Sequence, residues 1–232
     1  MNQEIQYVDW GLIDYKDAWD KQKILFEELV EQKSHFESPR KEFVPQWFIV
    51  CEHPHVYTLG RNGQSNNLLI NDDFLQKIHA SYYHIDRGGD ITYHGQGQMV
   101  GYPILDLERH HLSLKGYVHL LEEAIMSVLS DYQIIASRMD GATGVWLDVG
   151  GKNPRKICAI GVRASRYVTM HGFALNVNTD LSYFSHINPC GFVDKGVTSM
   201  SKELNKKIDI EEVKRRIYER FQGLLEIENK EQ

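Results

Sequence analysis

Apolar side chains recur at helical spacing in three stretches of the chain. From about Lys16 to His35 they fall at Ala18, Trp19, Leu25, Phe26, Leu29 and Val30, and from about Leu114 to Tyr132 at Tyr117, Leu121, Ala124, Val128 and Tyr132. After Asp209 they fall at Val213, Ile217, Phe221 and Leu224. Each stretch predicts an amphipathic helix. Asp209 has the short polar side chain of an N-cap, and Glu212, three residues on, makes a weaker relative of the capping box. Between the helices lie short runs with strand character: Trp47–Cys51, Tyr82–Asp86, Met99–Leu105, Gly144–Val149, Ile157–Arg163 and Phe173–Val177. No helix separates the runs between Gly144 and Val177, so they predict hairpins and antiparallel pairing. Helices at the start, middle and end around such strands indicate an α+β fold, a mixed and largely antiparallel sheet with packed helices. No repeat, low-complexity stretch or linker divides the chain, which predicts one domain over residues 1–232.

Composition narrows the class. The chain has 232 residues, 42% of them hydrophobic and 25% charged, which suits a soluble protein with a sizeable core. No apolar run reaches the ~20 residues of a membrane span. The opening MNQEIQYVDWGLIDY lacks the basic and apolar regions of a signal peptide, so the expected location is cytoplasmic, with no membrane partner. The net charge of −6 argues against bulk nucleic-acid binding. Charge is nevertheless uneven. No acidic residue occurs between Asp148 and Asp180, where Lys152, Arg155, Lys156, Arg163 and Arg166 all fall, and this suggests a basic face for an acidic partner.

The chemistry-bearing residues cluster. RGGDITYHGQGQMVGY, Arg87 to Tyr102, opens like a phosphate-binding glycine loop but lacks the Lys-Ser/Thr of a Walker loop. Gly95 and Gly97 lead into an apolar run stopped by Pro103, a strand where a dinucleotide loop opens a helix. The density of Arg87, Thr92, Tyr93, His94 and Gln98 beside paired glycines indicates a ligand-facing loop. The three cysteines, Cys51, Cys158 and Cys190, form no CxxC. Cys51 and Cys158 sit inside apolar runs and read as packing thiols. Cys190 is held between Pro189 and Gly191 in a turn and is the one cysteine placed like a nucleophile. Lys156 could lower its pKa if the two meet. A Cys/His pair drawing on His94, His171 or His186 is the alternative. Metal binding by His53 with His55, or by His110 with His111, lacks a second ligand cluster, so no metal is expected.

Five blocks in order, EHPHVYTLGR, RGGDITYHGQGQMVGYPILDL, KICAIGVR, HGFALNVNTDL and NPCG, resemble the lipoyl(octanoyl) transferases over about Trp47 to Ser199. The resemblance implies the fold of the biotin and lipoate protein ligases. It implies transfer of an octanoyl group from octanoyl-acyl carrier protein to a lysine of lipoyl domains, those of the 2-oxoacid dehydrogenase complexes and the glycine cleavage H protein, with no cofactor and no ATP. It assigns Cys190 as the acyl-thioester nucleophile and Lys156 as the lysine that lowers its pKa. Arg87, Gly88, Gly89, Asp90, Ile91, Thr92, Tyr93 and His94, then Ala159, Ile160 and Gly161, then Gly172, Phe173 and Ala174, match the family's substrate-binding segments. Two features depart from the family pattern: a longer insert at Gly150 to Pro154, and Cys158 as a second thiol near Lys156. Backbone amides around Gly161 and a loop at Gly172 are the expected oxyanion donors. The rivals are a lipoate ligase, which activates free acid with ATP and does not need Cys190, and a silent binding module, which needs neither Lys156 nor Cys190.

Overall fold

Two sheets carry the fold in the computed structural model, which describes residues 5–34, 45–188 and 196–228. The larger is built from β1 (Ile5–Leu12), β2 (Gln46–Glu52), β6 (Gln98–Ile104), β7 (Ser137–Met139), β8 (Ala142–Leu147), β9 (Arg155–Ser165), β10 (Val168–Asn176) and β11 (Gly196–Val197). Its order is β1-β2-β6-β10-β9-β8-β7, with β11 added beside β9. Only β1 on β2 and β11 on β9 pair parallel; β2–β6, β6–β10, β10–β9, β9–β8 and β8–β7 are antiparallel. The smaller sheet, order β4-β3-β5, joins β3 (Val56–Leu59), β4 (Ser81–His84) and β5 (Ile91–His94). The fold is therefore α+β with a mixed, largely antiparallel sheet.

Strand alternation sends side chains of the large sheet to two different cores. Phe48, Val50, Met99, Phe173, Leu175 and Val145 face α3 (Leu114–Asp131) and α5 (Ile210–Glu228) and bury against Tyr117, Leu121, Val128, Val213, Ile217 and Phe221. Ile49, Cys51, Val100, Tyr102, Met170 and Ala174 face the other way, against Ala18, Phe26 and Leu29 of α1 (Tyr15–Ser34). The three helices match the predicted stretches, with His35 outside the described residues. Asp14 accepts from Lys16 N at 2.8 Å, Ser113 from Gly116 N at 3.0 Å and Asp209 from Glu211 N at 3.0 Å, each satisfying an amide that the first helical turn leaves without a partner. The reciprocal arm of a capping box at Glu212 does not form; that carboxylate pairs with Arg216 at 2.7 Å.

The structure corrects three expectations. Thr92, Tyr93 and His94 form strand β5 instead of a loop, because β3 supplies a four-residue antiparallel partner. Gly172 lies inside β10, opposite Gly161 of β9, so no Gly172 loop exists. The basic segment is partly neutralised: Arg155 pairs with Glu203 of α4 (Met200–Leu204) at 2.7 Å, and Arg163 pairs with Asp86. The predicted hairpins between Gly144 and Val177 are present as β8–β9–β10.

Candidate active site

A cavity of about 370 Å³ lies between the α1-facing side of the large sheet and the small sheet. That volume falls in the range of small-molecule pockets. Its floor is sheet backbone carrying almost no side chain: Ala159 and Gly161 from β9, and Gly172 and Ala174 from β10. The glycines leave room that a Cβ would fill. At Gly161 it would stand 2.9 Å from Gly88 O, and at Gly172 it would stand 2.9 Å from Pro103 Cδ and collide with the Gly101 carbonyl.

The turn from Arg87 to Asp90 roofs this floor. The buried Arg87 guanidinium donates to Thr58 O at 2.7 Å, Thr58 Oγ1 at 3.0 Å and Gly88 O at 3.0 Å, so it clips the turn to β3. Gly88 N–H donates to Val162 O at 3.0 Å and joins the turn to β9. Gly89 adopts φ +86°, a conformation in which a Cβ strains the backbone. Asp90 accepts from Ile91 N at 2.6 Å and from Asn67 at 2.7 Å. In β5 the alternation continues. Thr92 and His94 reach the cavity, whereas Tyr93 packs with Tyr57, Leu59, Leu75 and Ile187 and pairs its hydroxyl with His55 at 2.7 Å.

The end of the cavity around β6 and α1 is polar and lies beside the Arg87 guanidinium. Tyr15 lies parallel to His94, ring centroids 5.7 Å apart, and edge-on to His53 at 5.1 Å. His53 Nε2 meets the Tyr102 hydroxyl at 2.7 Å, and His94 Nδ1 meets Gln98 Oε1 at 2.8 Å. Burial pushes His53 down to about 4. Burial, together with the nearby His53 and Arg87, pushes His94 down to about 3. Both imidazoles are neutral at pH 7. His171 adopts φ +61° within β10, its N–H held by Gln22 at 3.2 Å and its Nε2 3.0 Å from Asp86. The His171 hydrogen bond, reinforced by Arg163, holds the Asp86 carboxyl at about 2.

The opposite end carries a second cation, Lys156. Lys156 Nζ donates to Thr143 O at 3.2 Å and stands 4.6 Å from the centroid of the Trp146 ring. Gly196 and Val197 of β11 pair with Arg155 and Lys156 and line the same end. Cys190 lies outside the described residues. Cys51 and Cys158 are fully buried, and burial pushes both thiols up, Cys158 despite the opposing Lys156 charge. Neither is a ready thiolate. Of the described residues expected at the site, all line the cavity except Gly88, which hangs the turn on β9, and Tyr93, which faces away. His186 is engaged with Tyr57 at 2.9 Å on that far side. Tyr15, Val100, Tyr102, Thr143, Trp146 and Asn176 also line the cavity and escaped the sequence reading, because each looks like an ordinary core or turn residue until the sheets are assembled.

A profile of the lipoyl protein ligase A/B catalytic domain matches residues 14–222. An octanoyltransferase of Bacteroides thetaiotaomicron is 59% identical over 210 residues, covering 90% of both chains. One of Christiangramia forsetii is 51% identical over the full length of both. Among solved structures, a bipartite lipoate protein ligase of Thermoplasma acidophilum superposes with TM-score 0.70 at 14% identity, over 97% of this chain and 85% of that one. A biotin protein ligase of Aquifex aeolicus superposes with TM-score 0.52 at 13% identity, over 98% and 72%. The catalytic-domain profile across almost the whole chain and the high identity to full-length relatives agree with the cavity and the fold: the chain belongs to the lipoyl protein ligase A/B catalytic-domain family, among its octanoyltransferases, which are acyltransferases.

Proposed function

We propose that the protein carries an octanoyl group from octanoyl-acyl carrier protein to a specific lysine of lipoyl domains, as the first step of protein lipoylation. The observation that carries this reading is the cavity itself: a slot floored by Ala159, Gly161, Gly172 and Ala174, with Lys156 at one end. A floor of sheet backbone suits an unbranched acyl chain, and Val100 and the neutral ring of His94 line the other end.

The chemistry is two acyl transfers. The Cys190 thiolate attacks the carrier's thioester carbonyl, and collapse of the tetrahedral adduct expels the carrier thiolate, leaving octanoyl on Cys190. The acceptor lysine, as free amine, then attacks the Cys190 thioester; the C–N bond forms, the C–S bond breaks and the amine proton leaves through a base. Lys156 as the ammonium favours the Cys190 thiolate and gives its proton to the departing carrier thiolate; as the neutral amine it then accepts the proton from the attacking lysine, which restores the ammonium. Exchange of one thioester for another costs little, and amide formation runs downhill, so neither ATP nor a cofactor is required. The expected site is cytoplasmic, and the acceptors are lipoyl domains of 2-oxoacid dehydrogenase complexes and the glycine cleavage H protein.

Incubation with octanoyl-acyl carrier protein, without ATP, tests the reading by mass spectrometry. One hydroxylamine-labile octanoyl group is expected on the peptide containing Cys190, and none in Cys190→Ala. An adduct on Cys51 or Cys158, or loading that requires free octanoate and ATP, would overturn it.

A further inference from the structure

We infer that Trp146 is a positioning residue: its indole face and the Thr143 carbonyl hold the Lys156 ammonium at the end of the cavity where the acyl group is exchanged. The inference rests on the role proposed above for Lys156. The ammonium lies 4.6 Å from the Trp146 centroid, inside the ~6 Å reach of a cation–π contact. Its hydrogen bond to Thr143 O, at 3.2 Å, comes from the same strand. A ring face and a carbonyl oxygen both interact better with an ammonium than with a neutral amine, so together they fix the position of Lys156 and favour its charged form.

The local fold is built to present both groups on one side. Trp146 is 2% exposed, and its Nε1 donates to Ala142 O at 2.8 Å, which fixes the plane of the ring. Alternation along β8 sends Val145 and Leu147 into the core and Trp146 to the cavity, and the β8–β9 register shift between Val145 and Trp146 sets Lys156 directly opposite Trp146. Gly144 makes the bend at φ +120°. A Cβ there would stand 2.5 Å from Cys158 O and 3.5 Å from Lys156 Cε. Its N–H is held by the buried Glu122 at 3.0 Å, and Glu122 is held in turn by Arg138 at 2.9 Å. The other charged groups next to this strand are engaged too: Arg155 with Glu203, and Glu203 with Thr198. Arg87, Asp90, His94 and His171 line the same cavity from the turn, β5 and β10.

Two readouts test the inference. In lysine-selective ¹H–¹³C spectra of the wild type, one Hε signal should lie upfield through the indole ring current and vanish in Lys156→Met. It should return to the ordinary position in Trp146→Leu. In single-turnover loading by octanoyl-acyl carrier protein, Trp146→Leu should lose ~3- to 10-fold at pH 7 and recover at higher pH, as a thiol pKa raised by about half to one unit requires. Trp146→Phe, which keeps a ring face, should retain most of the rate. A wild-type spectrum without an upfield lysine signal overturns the inference even if Trp146→Leu fails to fold. An unchanged pH profile for Trp146→Leu beside a shifted one for Lys156→Met overturns the inference alone. An unchanged profile for Lys156→Met overturns the role of Lys156, and the inference with it.

Discussion

His53 shows how one residue is tuned by its surroundings. Its Nδ1 meets the Ile13 carbonyl at 2.8 Å and its Nε2 meets the Tyr102 hydroxyl at 2.7 Å, so the neutral ring is satisfied on both sides, as donor and as acceptor. Protonation would put a second N–H against that hydroxyl in a buried site, and burial accordingly lowers the pKa to about 4 from 6.5. The sign follows from linkage. Below pH 6.5 the unfolded chain takes up the proton and the folded chain does not, so stability falls as pH drops from 6.5 and levels off below about 4. By pH 5 the loss from one such histidine is about 2 kcal/mol. The Asp86 window lies lower: its depressed carboxyl contributes above 3.8 and is lost as pH falls through about 2, so it does not confuse the measurement. His53→Gln should therefore flatten urea-derived stability between pH 6.5 and 5 by about one proton, ~1.4 kcal/mol per pH unit. A slope equal to that of the wild type would show that His53 titrates normally in the folded protein.

At the scale of elements, the site depends on how closely the Arg87–Asp90 turn lies on β9. Gly161 makes that approach possible. Its missing Cβ would stand 2.9 Å from Gly88 O and 3.1 Å from Arg87 Cδ, and the Gly88–Val162 hydrogen bond at 3.0 Å closes the contact. In Gly161→Ala the turn must lift. Hydrogen exchange should show the Gly88 amide losing its protection, and octanoyl loading should slow about tenfold while the circular dichroism of the sheet persists. A Gly88 amide as protected as before would mean that the turn does not rest on this strand. Sequence patterns reveal only part of such an assembly. The three helices were legible because their apolar periods are long, the third also marked by Asp209, and the β8–β10 hairpins because no helical stretch separates their strand runs. β1 was not, since as an edge strand it exposes Gln6, Tyr7, Asp9 and Leu12. β3 and β5, four residues each, were hidden inside motifs whose chemistry drew attention away from their alternation. Gly172 read as a loop because glycine favours turns. Its actual reason is the close approach of the Gly101 carbonyl from β6, a long-range contact that no local pattern carries. Tyr15 reaches the cavity from the first turn of α1, over seventy positions before Arg87, and was illegible for the same reason.

Across the whole molecule, a buried cation joins parts that are far apart in sequence. Lys214 on α5 is 1% exposed, and its ammonium lies 3.0 Å from Asp9 of β1, 2.7 Å from Glu211 and 3.9 Å from Glu52 of β2. Glu52 also accepts from Gly97 N at 2.7 Å, and Gly97 O accepts from Asn178 N at 2.7 Å. Asn178 exchanges two side-chain hydrogen bonds with Ile208, at 2.8 and 2.9 Å, just before α5 begins. The circuit therefore runs from α5 through the parallel pair β1 and β2 to the β5–β6 turn behind His94 and Gln98, and returns to α5. Removing one partner of a buried ion pair commonly costs 3–5 kcal/mol, because the remaining charge is left without compensation. Here Asp9 is 26% exposed and Glu211 65% exposed, so water compensates part of that loss and the cost should be smaller. Lys214→Met should lower stability by about 2 kcal/mol, read as a fall in the urea midpoint at unchanged slope. The substitution keeps the aliphatic stem, so a loss of that size reports the charge and not a cavity. A midpoint within error of the wild type at pH 7 would show that the carboxylates are solvated without Lys214 and that the circuit does not depend on it.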